Sequence, residues 1–474
     1  EQRMTDLTLD TAHWVTRLEA LAERYGVPGA QLGILRAAMD EADSSADQVD
    51  ILTHGVSRVE TGQPVTDATV FQIGSITKVW TATLVMQLVD EGLLALETRI
   101  ADVLPELKLR DATVREGLTV WHLLTHTNGI DGDVFVDTGR GDDALERYVE
   151  HLHAVDQAHP LGETWSYSNS GYLILGRVIE RVIGSTWDAA VRDRIAARLG
   201  LSRTTTLPED ALLHDTALGH VVGLPHPVPA PVWSMPRSVG PAGLVNATAR
   251  DLLTFVQAHL HGGLGAAGER LVSKESAEAM AAHHVDLPDV YSLGDSWGLG
   301  WVRFDWNGTR LIGHDGATVG QNAFLRVLPE SGLAVTLLTN GGQGQDLFEA
   351  LFRELFADVA GVEATAAFVP PEEPLAGPLR DWSGTYRGAA LQVDAFMDGE
   401  HPRLRITMLG ALAQLDPEPV QEYDLLAVSV EPERAVYAIR FRGGEAWSPV
   451  TFYRAAGGRA YAHFGARALP AVEE

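Results

Sequence analysis

The sequence predicts a mixed α/β protein: one sheet flanked by helices, a helical subdomain beside it, and a small all-β domain at the C-terminal end. Three features predict this. Apolar residues at helical spacing fill the beginning and the middle of the larger part of the chain. Strand-like segments lie near both of its ends, which suggests one sheet assembled from both. A proline-rich break then leads into a run of short alternating segments.

Taken in order, Asp10–Arg24 alternates apolar and polar positions at helical spacing, and Gly26-Val27-Pro28-Gly29 stops that helix. Ala30–Arg36 and Val49–Val56 read as strands around an acidic loop. From Ser75 to about Glu91 the pattern is helical, with Gly92 as the stop. Val120–Leu124 and Ser170–Ile183 are further helices, the second apolar enough for a core. Strands are expected near Leu299–Trp301, Thr309–Ile312, Ala323–Leu328 and Leu333–Leu338, and a closing helix over Asp346–Val359. The prolines of 369–378 form the linker between a domain over 1–368 and another over 379–474. Beyond it, Trp382–Arg387, Leu391–Phe396, Arg403–Met408, Asp424–Val430, Ala435–Phe441 and Val450–Arg454 read as strands of a barrel or sandwich.

Composition narrows the function. The chain has 474 residues, 45% hydrophobic and 21% charged, as an ordinary globular protein does. No apolar run approaches the roughly 20 residues needed to cross a bilayer. Glu1–Asp10 lacks the basic, apolar and small-residue succession of a secretory signal. The expectation is a cytoplasmic protein, with a processed secreted form as the alternative. The absence of cysteine removes disulfides, thiolate metal sites and a cysteine nucleophile. A net charge of −28 argues against nucleic-acid and anionic-membrane partners. Among the 36 basic residues only Lys78, Lys108 and Lys274 are lysine. A lysine kept in so arginine-rich a chain points to a property that arginine lacks, the ability to give up its proton.

Three local patterns carry chemistry. In Ser75-Ile76-Thr77-Lys78, residues three apart on a helix share a face, so a hydroxyl stands beside an amine able to take its proton. Gly74 before it permits a tight entry, with free N–H groups available to an oxyanion. In Tyr167-Ser168-Asn169, a phenol near a cation can be held as phenolate and act as a base, while the amide orients the amine or binds substrate. In Gly313-His314-Asp315-Gly316-Ala317, glycines let a strand approach a ligand closely, and the Ala317 N–H is a second oxyanion donor.

The order and spacing of these three patterns resemble the β-lactamase-related serine hydrolases, a family that includes class C β-lactamases, D-alanyl-D-alanine carboxypeptidases, D-aminopeptidases and esterases. Phe71-Gln72-Ile73-Gly74, Leu123–Gly129 and Ala242-Gly243-Leu244-Val245 are similar to the family as well, over roughly Asp10–Val359. The resemblance implies a β-lactamase/transpeptidase-like sheet. It also implies Ser75 as nucleophile, Lys78 and Tyr167 as its activating pair, and Asn169 as orienting amide. The N–H groups of Ser75 and Ala317 would form the oxyanion hole, with His314 and Gly316 against the substrate. His314 stands where β-lactamases carry Lys, so a fixed cation for a substrate carboxylate is missing unless Asp315 raises the imidazole pKa. Asn128, where the family commonly has Ser, reads as turn chemistry.

The expected reaction is acyl transfer to Ser75 followed by hydrolysis of an ester, amide or short peptide, with neither cofactor nor metal. A metal reading of His122, His126, His151 and His153 lacks a ligand pattern such as His-Glu-x-x-His. Trp233 lies in a Pro- and Gly-rich stretch, Gly223–Gly240, that reads as a wall or lid of the cleft or as a packed surface loop. Alternatives are a β-lactamase or DD-carboxypeptidase, an acyltransferase to a small-molecule acceptor, and a non-catalytic sensor or scaffold. Ser75→Ala and Lys78→Arg are each expected to lower turnover by orders of magnitude, read as ester hydrolysis with circular dichroism as the fold control. Near-normal turnover by folded Lys78→Arg contradicts a base at this position.

Overall fold

The computed structural model describes residues 8–38, 46–221, 226–373, 375, 379–413, 418–442 and 444–473. Part of the 369–378 linker and of the 223–240 stretch lies outside them.

A nine-stranded antiparallel sheet forms the frame. Gly29–Arg36 pairs on one side with Gln48–Arg58 and on the other with Leu333–Thr339, so the sheet does join the two ends of this region. Gln321–Leu328, Thr309–Thr318 and Val302–Trp306 extend it further. Successive residues of a strand face opposite sides. Accordingly Val335 and Leu337 join one core while Ala334 and Leu338 join the other.

On the first face, helices Thr11–Arg24 and Gly344–Ala360 bury Trp14, Leu18, Phe348 and Phe352. Phe348 stacks on Phe324 with centroids 4.4 Å apart. On the second face lie helix Ala249–Leu260, helix Thr77–Asp90 and the helical subdomain, where Trp80 stacks on Phe255 at 4.2 Å. Truncating one large apolar side chain in such packing costs about 2–5 kcal/mol. Helix Thr77–Asp90 is buried from Thr77 through Leu88, which is why its apolar residues do not form a single stripe.

Leu299–Trp301 is not a strand. Gly300 has φ +86°, and a Cβ there would come within 2.7 Å of Ala82 Cβ. The segment is a buried turn between Ser296–Trp297 and Val302–Trp306.

Among the described residues the C-terminal region is a meander of nine strands, Gly384–Arg387 to Arg467–Pro470, in a four-stranded and a five-stranded sheet around a core of its own. A Tyr386–Ala471 bridge and the Val472 N–H on the Thr385 carbonyl tie the last strand back to the first, as in a barrel. Its last hairpin, Ala460–Phe464 and Arg467–Pro470, was not apparent in the sequence. This hairpin packs against the N-terminal region: the Tyr167 N–H donates to the Ala466 carbonyl at 3.0 Å, and the Ala468 N–H to Ser166 Oγ at 3.0 Å. No helix among the described residues is long and apolar enough to cross a membrane.

Candidate active site

Ser75 sits in a 3₁₀ turn, Gly74–Ile76, that feeds directly into helix Thr77–Asp90. The strand Thr309–Thr318 passes very close to that turn. A Cβ on Gly74, whose φ is +52°, would lie 2.6 Å from the Ala317 nitrogen, and one on Gly316 would lie 2.0 Å from the Ile73 carbonyl oxygen. Both positions therefore require glycine, and together they bring the Ala317 amide beside the Ser75 turn.

Lys78, one turn further on, is wholly buried. Its Nζ lies 3.0 Å from Ser75 Oγ, 2.7 Å from Asn169 Oδ1 and 2.8 Å from the Ala242 carbonyl oxygen. Burial pushes its pKa well below the usual amine value; nearby Arg467 adds to that push and Asp133 opposes it.

Ser168 explains how Asn169 and Tyr167 reach this amine. Its hydroxyl caps helix Asn169–Ile183 by accepting the Gly171 N–H, so Asn169 opens the helix and Tyr167 lies just before it. The loop is fastened from behind by His126, which has φ +59°. The Ser166 N–H donates to its carbonyl and the Ser168 N–H to its Nδ1, while its ring stacks on Tyr167 at 4.5 Å. His126 is thus a support for the phenol. Among the described residues no group of three or more His, Asp or Glu could hold a metal ion.

Two sequence expectations change. The Tyr167 phenol is not poised as a phenolate: burial pushes its pKa up, outweighing a hydrogen bond to Ser75 and the charge of Arg467. His314 is not made cationic by Asp315. The Asp315 carboxylate instead forms a two-point ion pair with Arg326, at 2.6 and 3.1 Å. Burial, with Lys78 nearby, pushes the imidazole down to about 3. Its Nδ1 lies 2.6 Å from the Asp315 carbonyl oxygen, which can only accept, so Nδ1 carries the proton.

Sequence reasoning missed two residues here, Asp133 and Arg467. Asn169 Nδ2 donates to Asp133 Oδ1 at 3.2 Å. Arg467, from the last hairpin of the barrel, donates through two nitrogens to the same carboxylate, at 2.8 and 2.9 Å. Its third nitrogen donates to the Gly465 carbonyl at 2.7 Å. Burial pushes the Asp133 pKa up, but Arg467, the Asn169 amide and Lys78 outweigh it and hold the carboxyl below its usual range. Arg467 also lies over the Tyr167 ring, 5.0 Å from its centroid, and Lys78 Nζ at 4.7 Å. A cavity of about 660 Å³ exposes Ser75, Tyr167, Asn169, His314, Gly316, Ala317 and Arg467 together.

Asn128 is turn chemistry, its Oδ1 accepting the Ile130 N–H at 3.0 Å. Trp233 does not line this cavity; its Nε1 is tied to the Ala217 carbonyl at 3.0 Å, and Met235 from the same loop forms the wall.

Residues 14–359 match the family described as Beta-lactamase. The chain is 45% identical to penicillin-binding protein 4 of Amycolatopsis lactamdurans over 383 residues, which cover 80% of this chain and 98% of that protein. Among solved structures it is similar to SurE, at 29% identity and a TM-score of 0.77, covering 97% of this chain and 99% of the other. SurE with D-Leu matches at 28% identity and a TM-score of 0.74 over the same shares.

The Arg467 charge and the Asp133 carboxylate act on the Lys78 amine in opposite senses. Removing the cation lets the amine hold its proton more readily, and it leaves Asp133 uncompensated, which works in the same direction. Arg467→Met is therefore expected to move the acid limb of the kcat/KM–pH profile to higher pH, by about half a unit to one unit. Loss of activity with an unmoved limb indicates a structural role only.

Proposed function

The chain belongs to the β-lactamase family of serine hydrolases, and from that premise we propose that it cleaves neutral ester or amide substrates, including those with a D-configured residue, through an acyl-enzyme on Ser75. One observation carries this reading. Of the three partners of Lys78 Nζ, the Asn169 and Ala242 oxygens can only accept. In a neutral amine these two acceptors take both hydrogens and the lone pair faces the Ser75 hydroxyl at 3.0 Å, whereas an ammonium would donate to all three. Lys78 in its low-pKa state then takes the serine proton as Oγ attacks the carbonyl carbon.

The negative charge that develops on the carbonyl oxygen is met by the amides of Ser75 and Ala317. Tyr167, held protonated by its burial, gives its proton to the leaving alkoxide or amine and regains one from the Lys78 ammonium. The ammonium is stabilised for that interval by Asp133 and by the face of the phenol ring. Water then attacks the ester carbonyl with the same groups in reverse, and Ser75 recovers its proton. Lys78 and Tyr167 exchange protons as a pair, so the pH profile reports the pair. The solved structure of SurE with D-Leu supports a D-configured residue in the substrate.

A second reading, turnover of β-lactams, draws on the 45% identity to a penicillin-binding protein and on Arg467 as a cation in the cleft. Against it, Asp133 and the Gly465 carbonyl engage all three nitrogens of Arg467, and His314 is neutral. The acidic protein further disfavours anions at low salt. Accordingly kcat/KM for a neutral p-nitrophenyl ester is expected to exceed that for nitrocefin, by a wider margin at low ionic strength. It should rise through one ionisation and, after correction for spontaneous hydrolysis, stay level to about pH 10, since neutral Lys78 is the active form and the phenol deprotonates only above its ordinary value. Efficient nitrocefin hydrolysis puts the second reading first, and a fall between pH 8 and 10 contradicts the assigned protonation states.

A further inference from the structure

Phe135 and Met235 stand on the wall of the Ser75 cavity and also on the wall of a second cavity, of about 570 Å³. The second cavity runs between the proline-rich loop and the C-terminal barrel. Leu207, Val232 and Leu244 contribute apolar surface from the hydrolase side, and Ala390 and Leu409 from the barrel.

Most of the charges along it are paired. Arg237 is paired with Asp142 and Asp188, Arg140 with Glu209, and Asp133 with Arg467. Asp137, on the exposed rim, accepts the N–H of Gly139. What remains for a ligand is apolar surface continuous with the nucleophile, of a volume usual for a small-molecule site.

We propose that this second cavity is an acyl-group subsite that selects substrates with a hydrophobic acyl part, an aliphatic chain or a peptide of apolar residues, and that the C-terminal barrel supplies one of its walls. The inference rests on the Ser75 acyl-enzyme reading. The acyl group stays attached to Ser75 through both chemical steps, so a cavity opening beside that serine can hold it throughout. Paired charges offer a polar or ionic acyl group few partners, whereas each buried methylene contributes about fourfold, or ~0.8 kcal/mol.

The test uses the full chain and p-nitrophenyl acetate, butyrate, hexanoate and octanoate below micellar concentrations, with a small fluorophosphonate to label the nucleophile. Octanoate is expected to exceed acetate in kcat/KM by at least thirtyfold. Ala390→Trp, which fills the cavity from the barrel side, and Leu409→Glu, which makes that wall polar, are each expected to lower the octanoate-to-acetate ratio at least fivefold. Both esters are read on one preparation, so any loss of folded protein cancels in the ratio. Ser75 labelling with a flat chain-length profile, or with a ratio unchanged in both variants, overturns this inference alone. Absence of label on Ser75 overturns the acyl-enzyme reading and this inference with it.

Discussion

The ion pair between Arg467 and Asp133 sets the geometry on which the rest of the site depends. Asp133 can only accept, so the amide that meets it must present Nδ2, and Asn169 is thereby turned with Oδ1 toward Lys78. That oxygen and the Ala242 carbonyl accept from the Lys78 amine, whose Nζ also lies 3.0 Å from Ser75 Oγ. The chain of partners runs through five side chains, from Arg467 in the last hairpin of the barrel to Ser75. Every link is polar and mostly buried, so the removal of one leaves its neighbour without a partner in a poorly hydrated place.

Burial supplies the other half of the account. Inside an apolar helix-packed core the amine of Lys78 is pushed toward its neutral form, and the same surroundings hold the proton on the Tyr167 phenol. One cause, the exclusion of water, thus shifts the two groups flanking Ser75 in the directions that the proposed base and acid require. His314 is driven neutral by it as well. The cation that this strand lacks comes from another part of the fold, Arg467, where its donors are already engaged.

Much of this was legible before any coordinates. Ser75, Lys78, Tyr167 and Asn169 stood out because the order and spacing of their motifs resemble those of the β-lactamase-related serine hydrolases, with the scarcity of lysine in support. Helices such as Thr11–Arg24, Thr77–Asp90 and Gly344–Ala360 and the central strands of the large sheet followed from periodicity, whereas helices Ala144–His151, Ala249–Leu260 and Lys274–Ala281 and strand Val302–Trp306 did not. Arg467 could not stand out in a chain that uses arginine almost everywhere, and its hairpin is two short strands joined at Gly465-Ala466. Asp133 is one aspartate in an acidic sequence, and only its place beside Asn169 distinguishes it. Leu299-Gly300-Trp301 has the apolar content of a strand, but the positive φ of Gly300 turns it into a bend. The protonation states of Tyr167 and His314 depend on depth, which no local pattern encodes.

The state of the Lys78 amine is the centre of the account, and the chain is well suited to measuring it, because lysine occurs at only three positions. With ¹⁵N-labelled lysine, the side-chain signal that disappears in Lys78→Arg can be followed as a function of pH in the wild-type protein. The account predicts that this signal titrates well below about 10.4, the ordinary value for a lysine amine. A Lys78 signal titrating at or above that value would mean that the resting amine is a cation, and it would contradict the assignment of Lys78 as the base that activates Ser75.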